Sequence, residues 1–290
     1  GLWFDIVTPA FKGCYCRYCV QERAKLKLSG DSAADMLKHR EMIRARFQAR
    51  IFKLVKKIKP GASVFFNGSL RVGMRALLPN QTHIEIESLP SGQWGYNHFP
   101  LYVRYCQTLD KKLLGMTARF HKSWADFGGM KNKAALEFEC FSMLASGVGC
   151  SVGDQLHPRG RLDVPVYERI GEVYKNVEEK EAWCRNSKPV SQIGVVALTA
   201  AKADVNWSVV NTSDEGAMRM LLETHHQFDI LDASADFSGY ELLLLPDDVT
   251  VMPARKNMFA AFLKKGGKLL LSAESGLDEK KTGFVLPQMG

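Results

Sequence analysis

Thr82-His83-Ile84-Glu85-Ile86-Glu87-Ser88 alternates without a break, and this alternation decides how the rest of the chain is read. A period of two puts His83, Glu85 and Glu87 on one face of a strand and Ile84 and Ile86 on the other. The apolar face suits packing against helices. Three polar groups in line are hard to explain by packing and point to a working surface inside a barrel. Glu87 lies nearer the carboxyl end of this strand, whereas Glu85 is placed either to act or to orient a neighbour.

Outward from this stretch, short apolar runs alternate with longer helical patterns, the signature of repeated βα units around a parallel sheet. Upstream, the pattern predicts strands at Leu2 to Val7 and at Ser63 to Asn67. Between them Met36, Ile43, Phe47, Ile51, Leu54 and Ile58 recur at helical spacing, from Asp31 as N-cap to the stop at Pro60-Gly61. Downstream it predicts a helix near Phe99 to Leu109, a strand at Leu114 to Phe120, a helix from Lys133 to Ala145, a strand near Val148 to Val152 and a helix from Val164 to Trp183. These strands are too few to close an eight-stranded barrel. The expected fold class is therefore α/β, beginning with the C-terminal part of a (β/α)8 TIM barrel, strands four to eight, over 1–186. The opening on Gly1 and an apolar run fits a start farther upstream.

Past the polar, Pro-containing segment Arg185 to Pro189, strands are expected at Ile193 to Leu198, Asp229 to Leu231, Tyr240 to Pro246 and Lys268 to Ser272, with helices at Ser213 to Phe228 and Arg255 to Lys265. This outlines a flavodoxin-like (class I amidotransferase-like) open α/β domain over 187–290, expected to be incomplete. It shows no G-x-G-x-x-G or Walker sequence, and Gly266-Gly267 reads as a helix C-cap. Cys184 is not set in a nucleophile elbow, so the domain reads as structural.

Composition excludes several classes. The chain has 290 residues, 46% hydrophobic and 24% charged, which suits a globular protein with more than one core. A net charge of +8 raises the question of nucleic acid, but Lys and Arg are mixed with Asp and Glu through most helices. The densest run, Lys53 to Lys59, follows a helical pattern and reads as a solvated face, so no nucleic-acid partner is expected. No stretch reaches the roughly 18 consecutive apolar residues of a membrane span, and the opening lacks the order of a signal peptide. Seven cysteines is an odd count, and Cys106, Cys140 and Cys150 lie in apolar, periodic surroundings where reduced cysteine is usual. This usage argues against a disulfide scaffold and weighs toward the cytoplasm.

Polar residues gather at the carboxyl end of each expected strand: Asp5, Asn67, Glu87, His121 and Asp154. In a parallel barrel that end is the catalytic face. Retaining glycoside hydrolysis needs two carboxyl groups about 5 to 5.5 Å apart, drawn here from different strands. Asp5, an acid in an otherwise apolar run, is costly to bury unless a site uses it, it lies at an open barrel mouth, or it caps a loop. Arg119-Phe120-His121-Lys122-Ser123-Trp124 combines cationic, imidazole and indole groups suited to hydroxyl recognition and to stacking on a sugar. Trp94-Gly95-Tyr96-Asn97 and Asp154-Gln155-Leu156-His157 add groups of the same kind. The expected substrate-binding set is His83, Trp94, Tyr96, Arg119, His121, Trp124, Asp154 and His157. Cys14, Cys16 and Cys19 form C-x-C-x-x-C, whose close spacing suits thiolate ligation of a structural zinc, with three of four ligands visible. An all-thiolate site leaves no open position, so catalysis is expected to need no cofactor.

These residues resemble a family. Leu2-Trp3-Phe4-Asp5 resembles the strand-four motif of glycoside hydrolase family 29, the α-L-fucosidases, and the resemblance implies that Asp5 is the retaining nucleophile. The run from Glu85 to Trp94-Gly95-Tyr96 resembles that family's acid/base region; spacing favours Glu85 in that role and strand position favours Glu87. Gly92 to Pro100, Phe120 to Trp124 and Gly153 to Gly160 resemble a less characterised group, of the hypothetical glycosyl hydrolase 6 type, with a β-galactosidase trimerisation domain. That likeness covers nearly the whole chain. From Gln192 onward the sequence is similar to the trimerisation domain of family 42 β-galactosidases, an amidotransferase-like fold without its catalysis, and the Cys cluster is similar to that family's zinc loop.

Family 42 itself takes its nucleophile from a Glu ending strand seven and its acid from strand four, whereas Leu114 to Phe120 contains no acid. The resemblance thus implies a retaining glycosidase acting on carbohydrate, foremost an α-L-fucosidase, that forms a homo-oligomer (dimer or trimer) through its C-terminal domain. A family 42-type β-galactosidase, a carbohydrate-binding homologue without catalysis and a zinc hydrolase are the alternatives. The chain by itself, short of three barrel strands, is expected to be inactive.

Overall fold

Strand β1 (Leu2–Phe4) runs parallel to β2 (Val64–Phe66), with Leu2, Trp3 and Phe4 opposite Val64, Phe65 and Phe66. The expected strand to Val7 ends early because Ile6 takes a left-handed backbone (φ 45°), and Asp5 falls in the turn just past β1. The computed structural model describes residues 1–7, 13–30, 32–68, 70–92, 94–185, 187–197, 212–232, 234–247 and 249–290. They form two compact units, 1–84 and 85–290.

In the first unit, α1 (Arg17–Lys25) precedes the long α2 (Ala33–Ile58). The expected cap Asp31 lies outside the described residues; Ser32 is the N-cap, its hydroxyl accepting from the Asp35 N–H at 3.2 Å. Helical periodicity identified α2 correctly but not its buried stripe. Phe47, Leu54 and Ile58 are exposed, whereas Met36, His39, Arg44, Gln48 and Val55 are buried. Val55 packs with Ala62, Val64 and Phe66 in the core beneath the strands. The short α1 has no apolar stripe to announce it. Buried Arg23 ties it down by donating to the Cys14 carbonyl at 2.8 Å, while Glu22 pairs with His39 at 3.2 Å and with Arg46. A 3₁₀ turn spans Met74–Asn80.

Strands β3 (His83–Glu87), β4 (Lys112–Ala118) and β5 (Gly149–Gly153) form a sheet in that order, with β4 and β5 parallel and Ala118 opposite Gly153. Ile84 and Ile86 are fully buried while His83, Glu85 and Glu87 are half-buried, as the alternation requires. Three helices accompany these strands: α3 (His98–Cys106), α4 (Lys133–Ala145) and α5 (Val164–Cys184). Asn132 caps α4 by accepting from the Ala135 N–H at 2.8 Å, and α5 carries Pro165 in its first turn, where no N–H is needed. Leu136 and Cys140 of α4 interlock with Val166, Ile170 and Val173 of α5.

The second sheet of this unit contains β6 (Ile193–Val196), β7 (Phe228–Leu231), β8 (Leu242–Leu245) and β9 (Lys268–Leu271), all parallel in the order β7-β6-β8-β9. Counted within the sheet this is 2-1-3-4, the flavodoxin-like sequence of strands. Helices α6 (Thr212–Glu223) and α7 (Lys256–Lys264) provide crossovers in opposite directions, which right-handed connection puts on opposite faces. Helix α6 stops short of its expected end at Phe228 because His225 takes φ 60°, and Phe228 instead starts β7; Leu198 lies outside the described residues. Leu231, Leu243, Leu245, Phe237, Phe259 and Phe262 fill the core. The division expected after residue 186 falls inside the second unit, where α3 meets β7: Tyr105 donates its hydroxyl proton to buried Asp232 at 2.9 Å and Arg104 lies 4.7 Å over the Phe228 ring. All seven cysteines are unpaired, with Cys106 and Cys140 buried. No helix among the described residues is long and apolar enough to cross a membrane.

Candidate active site

The carboxyl ends of β3, β4 and β5 bring three expected site segments together. Glu87, the last residue of β3, accepts a hydrogen bond from the Trp124 indole N–H at 2.5 Å. Two glycines allow this approach. A Cβ on Gly153 would stand 2.3 Å from the Trp124 ring, and one on Gly92 would stand 1.9 Å from the Lys122 carbonyl oxygen. Phe120 supports the indole edge to face, with ring centroids 5.9 Å apart. Exposed His121 is held through its carbonyl, which accepts from the Ser91 hydroxyl at 2.7 Å.

Arg119 follows β4 and is buried. Its Nε donates to Asp154 Oδ1 at 2.9 Å and its Nη1 donates to the carbonyls of Phe127 and Gly129, at 3.1 and 2.9 Å. Asp154 Oδ1 also accepts from the Gln155 N–H at 2.7 Å. With His157 these residues line a cleft of about 530 Å³, completed by Phe127, Arg161, Asp163 and Tyr167 among others. No motif marks Arg161, Asp163 or Tyr167, whose positions depend on how the chain turns from β5 into α5.

A buried polar network lies beside this face. Lys131 donates to Glu139 Oε2 at 2.6 Å and to Thr117 Oγ1 at 2.7 Å, Thr117 donates to Glu139 Oε2 at 2.6 Å, and the Tyr96 hydroxyl donates to Oε1 at 3.2 Å. Burial lowers the Lys131 pKa against the pull of Glu139, and burial with the Glu139 charge raises that of Tyr96. The signal available in the sequence was a pair of acids, Glu137 and Glu139, in the otherwise apolar stretch Ala134-Ala135-Leu136-Glu137-Phe138-Glu139-Cys140, and it names neither the buried one nor its partner. Trp94 packs against the His98 ring at 5.0 Å, and burial drops the His98 pKa to about 4. His83 lies apart from these groups. It starts β3 at the amino end, roughly 13 Å along the strand from Glu87 at 3.3 Å per residue, with its ring tilted against that of Phe65 and hydrogen-bonded to Thr82. Glu85 lies between them.

In the first unit, Asp5 and Asn67 follow the carboxyl ends of the paired strands β1 and β2. Asn67 Nδ2 donates to Asp5 Oδ1 at 2.9 Å, and the Asn67 N–H donates to the Phe4 carbonyl at 2.8 Å, so backbone pairing sets the side-chain contact. Asp5 is exposed, which removes the burial cost that its apolar setting suggested.

The thiols of Cys14, Cys16 and Cys19 lie within 4.8 Å of one another, close enough to share one metal ion. Cys16 is lowered to about 7 by the backbone N–H of Cys19 and the thiols of Cys14 and Cys19, while Cys19 is raised to about 12 by burial and by its two neighbours. A soft cation would favour the thiolate form in all three.

Residues 218–289 match the β-galactosidase trimerisation domain family. The α-L-fucosidase isoenzyme 2 from Paenibacillus thiaminolyticus is 40% identical to this chain with a TM-score of 0.92, over 99% of this chain and 44% of that one. The polyextremophilic β-galactosidase from the Antarctic haloarchaeon Halorubrum lacusprofundi matches at 14% identity and TM-score 0.66, over 87% of this chain and 43% of its own. The β-galactosidase from Bacillus circulans sp. alkalophilus matches at 12% and 0.69, over 87% and 42%. The last two show the fold alone: a mixed α/β architecture with parallel sheets, similar to the C-terminal domains of glycoside hydrolases. The chain therefore spans less than half the length of the solved structures it matches, and no curated protein matches it.

Proposed function

We propose, for a chain that belongs with the α-L-fucosidase-like glycoside hydrolases carrying a β-galactosidase trimerisation domain, that it forms part of a retaining exo-glycosidase, an α-L-fucosidase. On this reading 1–186 supplies strands four to eight of a (β/α)8 barrel, and 187–290 is the flavodoxin-like domain through which copies of the protein associate as a dimer or trimer. The observation that carries the reading is the Glu87 carboxylate at the carboxyl end of β3, gripped by the Trp124 indole at 2.5 Å, in a chain 40% identical to an α-L-fucosidase.

The chemistry follows from two carboxyl groups. Asp5 attacks the anomeric carbon as the glycosidic bond breaks. Asn67 fixes Oδ1 of Asp5 and leaves the other oxygen to act. Glu87, or Glu85 in the alternative, gives its proton to the departing oxygen, and a glycosyl ester forms on Asp5. The same Glu, now ionised, takes a proton from water, and the water oxygen displaces Asp5 with net retention. The Trp124 indole N–H, bonded to Oε1, fixes the orientation of the Glu87 carboxyl group. Arg119, His121, Asp154 and His157 would hold hydroxyls, and Trp94, Tyr96 and Trp124 the apolar sugar face. Cys14, Cys16 and Cys19 would hold a structural zinc that contributes folding stability and no catalytic step.

Screening the intact protein against aryl α- and β-glycosides tests the sugar. Cleavage of the α-L-fucoside is expected, and preference for the β-galactoside would transfer the assignment to the family 42 scheme. Asp5→Gly should abolish turnover, with azide restoring it as a glycosyl azide; undiminished activity in that variant would sink the nucleophile.

A further inference from the structure

We infer that the cleft between the carboxyl ends of β4 and β5 and the start of α5 receives the leaving group of the reaction, and that this group is an uncharged saccharide. The inference rests on the glycosidase reading and adds to it which side of the scissile bond the cleft serves.

Arg119 is the first support. A guanidinium has five N–H groups in a fixed fork. Three are committed, one to Asp154 and two to the carbonyls of Phe127 and Gly129, so the plane of the group is locked. Among the described residues no bond engages the two N–H groups on Nη2, on a residue that lines the cleft. A rigid pair of donors suits adjacent hydroxyls on a sugar ring, with little ordering entropy left to lose on binding.

Charge selects the class. The ionic groups of the lining are Arg119 and Arg161 against Asp154 and Asp163, which balance. A cleft built for sulfated or uronic sugars would carry an excess of cations. Phe127 and Tyr167 are exposed aromatics on the same lining, apolar faces for the C–H side of a pyranose. The volume of about 530 Å³ falls within the roughly 300–1,000 Å³ of small-molecule sites.

Direction comes from the acid. Glu87 must reach the oxygen that departs with the leaving group, and Trp124, bonded to Glu87, lies against Gly153, whose neighbour Asp154 is a wall of the cleft. A leaving saccharide that extends past Trp124 from the protonated oxygen enters this cleft.

The test compares the intact wild-type enzyme with Arg161→Ala and Tyr167→Ala on two substrates: a neutral fucosylated trisaccharide, and α-L-fucosyl fluoride, whose leaving group fills no sugar subsite. In each variant kcat/KM for the trisaccharide should fall about tenfold relative to the fluoride, the equivalent of one hydrogen bond or one ring contact. An unchanged ratio in both variants overturns the proposal, as does wild-type preference for a sialylated or sulfated trisaccharide over the neutral one. Titration calorimetry with lactose needs no turnover and separates the two readings. Binding that weakens about tenfold in Arg161→Ala supports the cleft even if the fluoride is not cleaved, in which case the glycosidase reading alone fails; absence of lactose binding to the wild type overturns the cleft.

Discussion

Replacing Lys131 with Met removes one charge from a pair that water barely reaches, since Lys131 is 1% and Glu139 3% exposed. Met keeps most of the unbranched stem, so little cavity is created and the effect is mainly electrostatic. Stripping one partner from a buried ion pair costs about 3–5 kcal/mol, because the other charge stays behind in a poor solvent. Glu139 would keep the hydroxyl protons of Thr117 and Tyr96, which places the loss near the lower end, about 3 kcal/mol, or roughly 150-fold in the folding equilibrium. Equilibrium urea unfolding followed by tryptophan fluorescence measures it, with an unchanged m value required for the comparison. The double variant Lys131→Met/Glu139→Leu should recover most of the loss, since the apolar replacement of both partners leaves no orphaned charge. The backbone N–H of Lys131, which the substitution leaves in place, holds the Arg119 carbonyl at 2.9 Å and closes the segment that presents Trp124 to Glu87. A loss below about 1 kcal/mol in Lys131→Met, or a double variant as costly as the two single ones combined, would refute the assigned network.

Two further outcomes follow from the site. Glu87→Gln should lower kcat/KM for a fucosylated oligosaccharide by about 10²–10⁴-fold while sparing the glycosylation step with fucosyl fluoride, which needs no proton, and azide should restore turnover; the same pattern in Glu85→Gln instead would overturn the choice based on strand position. Iodoacetamide should label Cys16 faster as pH rises, with a midpoint of about 7, because its thiolate forms there while Cys19, at about 12, stays protonated. Added zinc should suppress that labelling, and a midpoint near the ordinary thiol value of 9 or indifference to zinc would show that the three thiols do not share a site.

Much of the fold was legible because periodicity reports where a side chain points relative to its own backbone. The alternation from His83 to Glu87 needs nothing more, and neither does α4, read from Lys133 to Ala145 to the residue. What escaped depends on contacts between distant segments. Helix α1 lacks an apolar stripe and is held by Arg23 through a carbonyl nine residues away. The buried stripe of α2 carries Arg44 and Gln48, so hydrophobicity pointed to the wrong side of the helix. The site divides along the same line. Asp5, Glu87 and Asp154 could be named as polar residues at strand ends, but which groups they touch could not.

Arg119 makes the physical reason explicit. The sequence suggests a sugar-binding cation, whereas most of its donors are spent on Asp154 and on two loop carbonyls. That pairing, across 35 residues, exists only because β4 and β5 align with Ala118 opposite Gly153, and the Arg119 N–H bonds the Gly153 carbonyl at 3.0 Å. A slip of one residue would turn Asp154 to the other side of the sheet and strand a buried guanidinium. The register in turn requires Gly at 153, since any side chain there would displace Trp124 from Glu87. The strand pairing, the cleft wall and the orientation of the proposed acid are thus one constraint, written in three separated stretches whose relation appears only when the sheet is assembled.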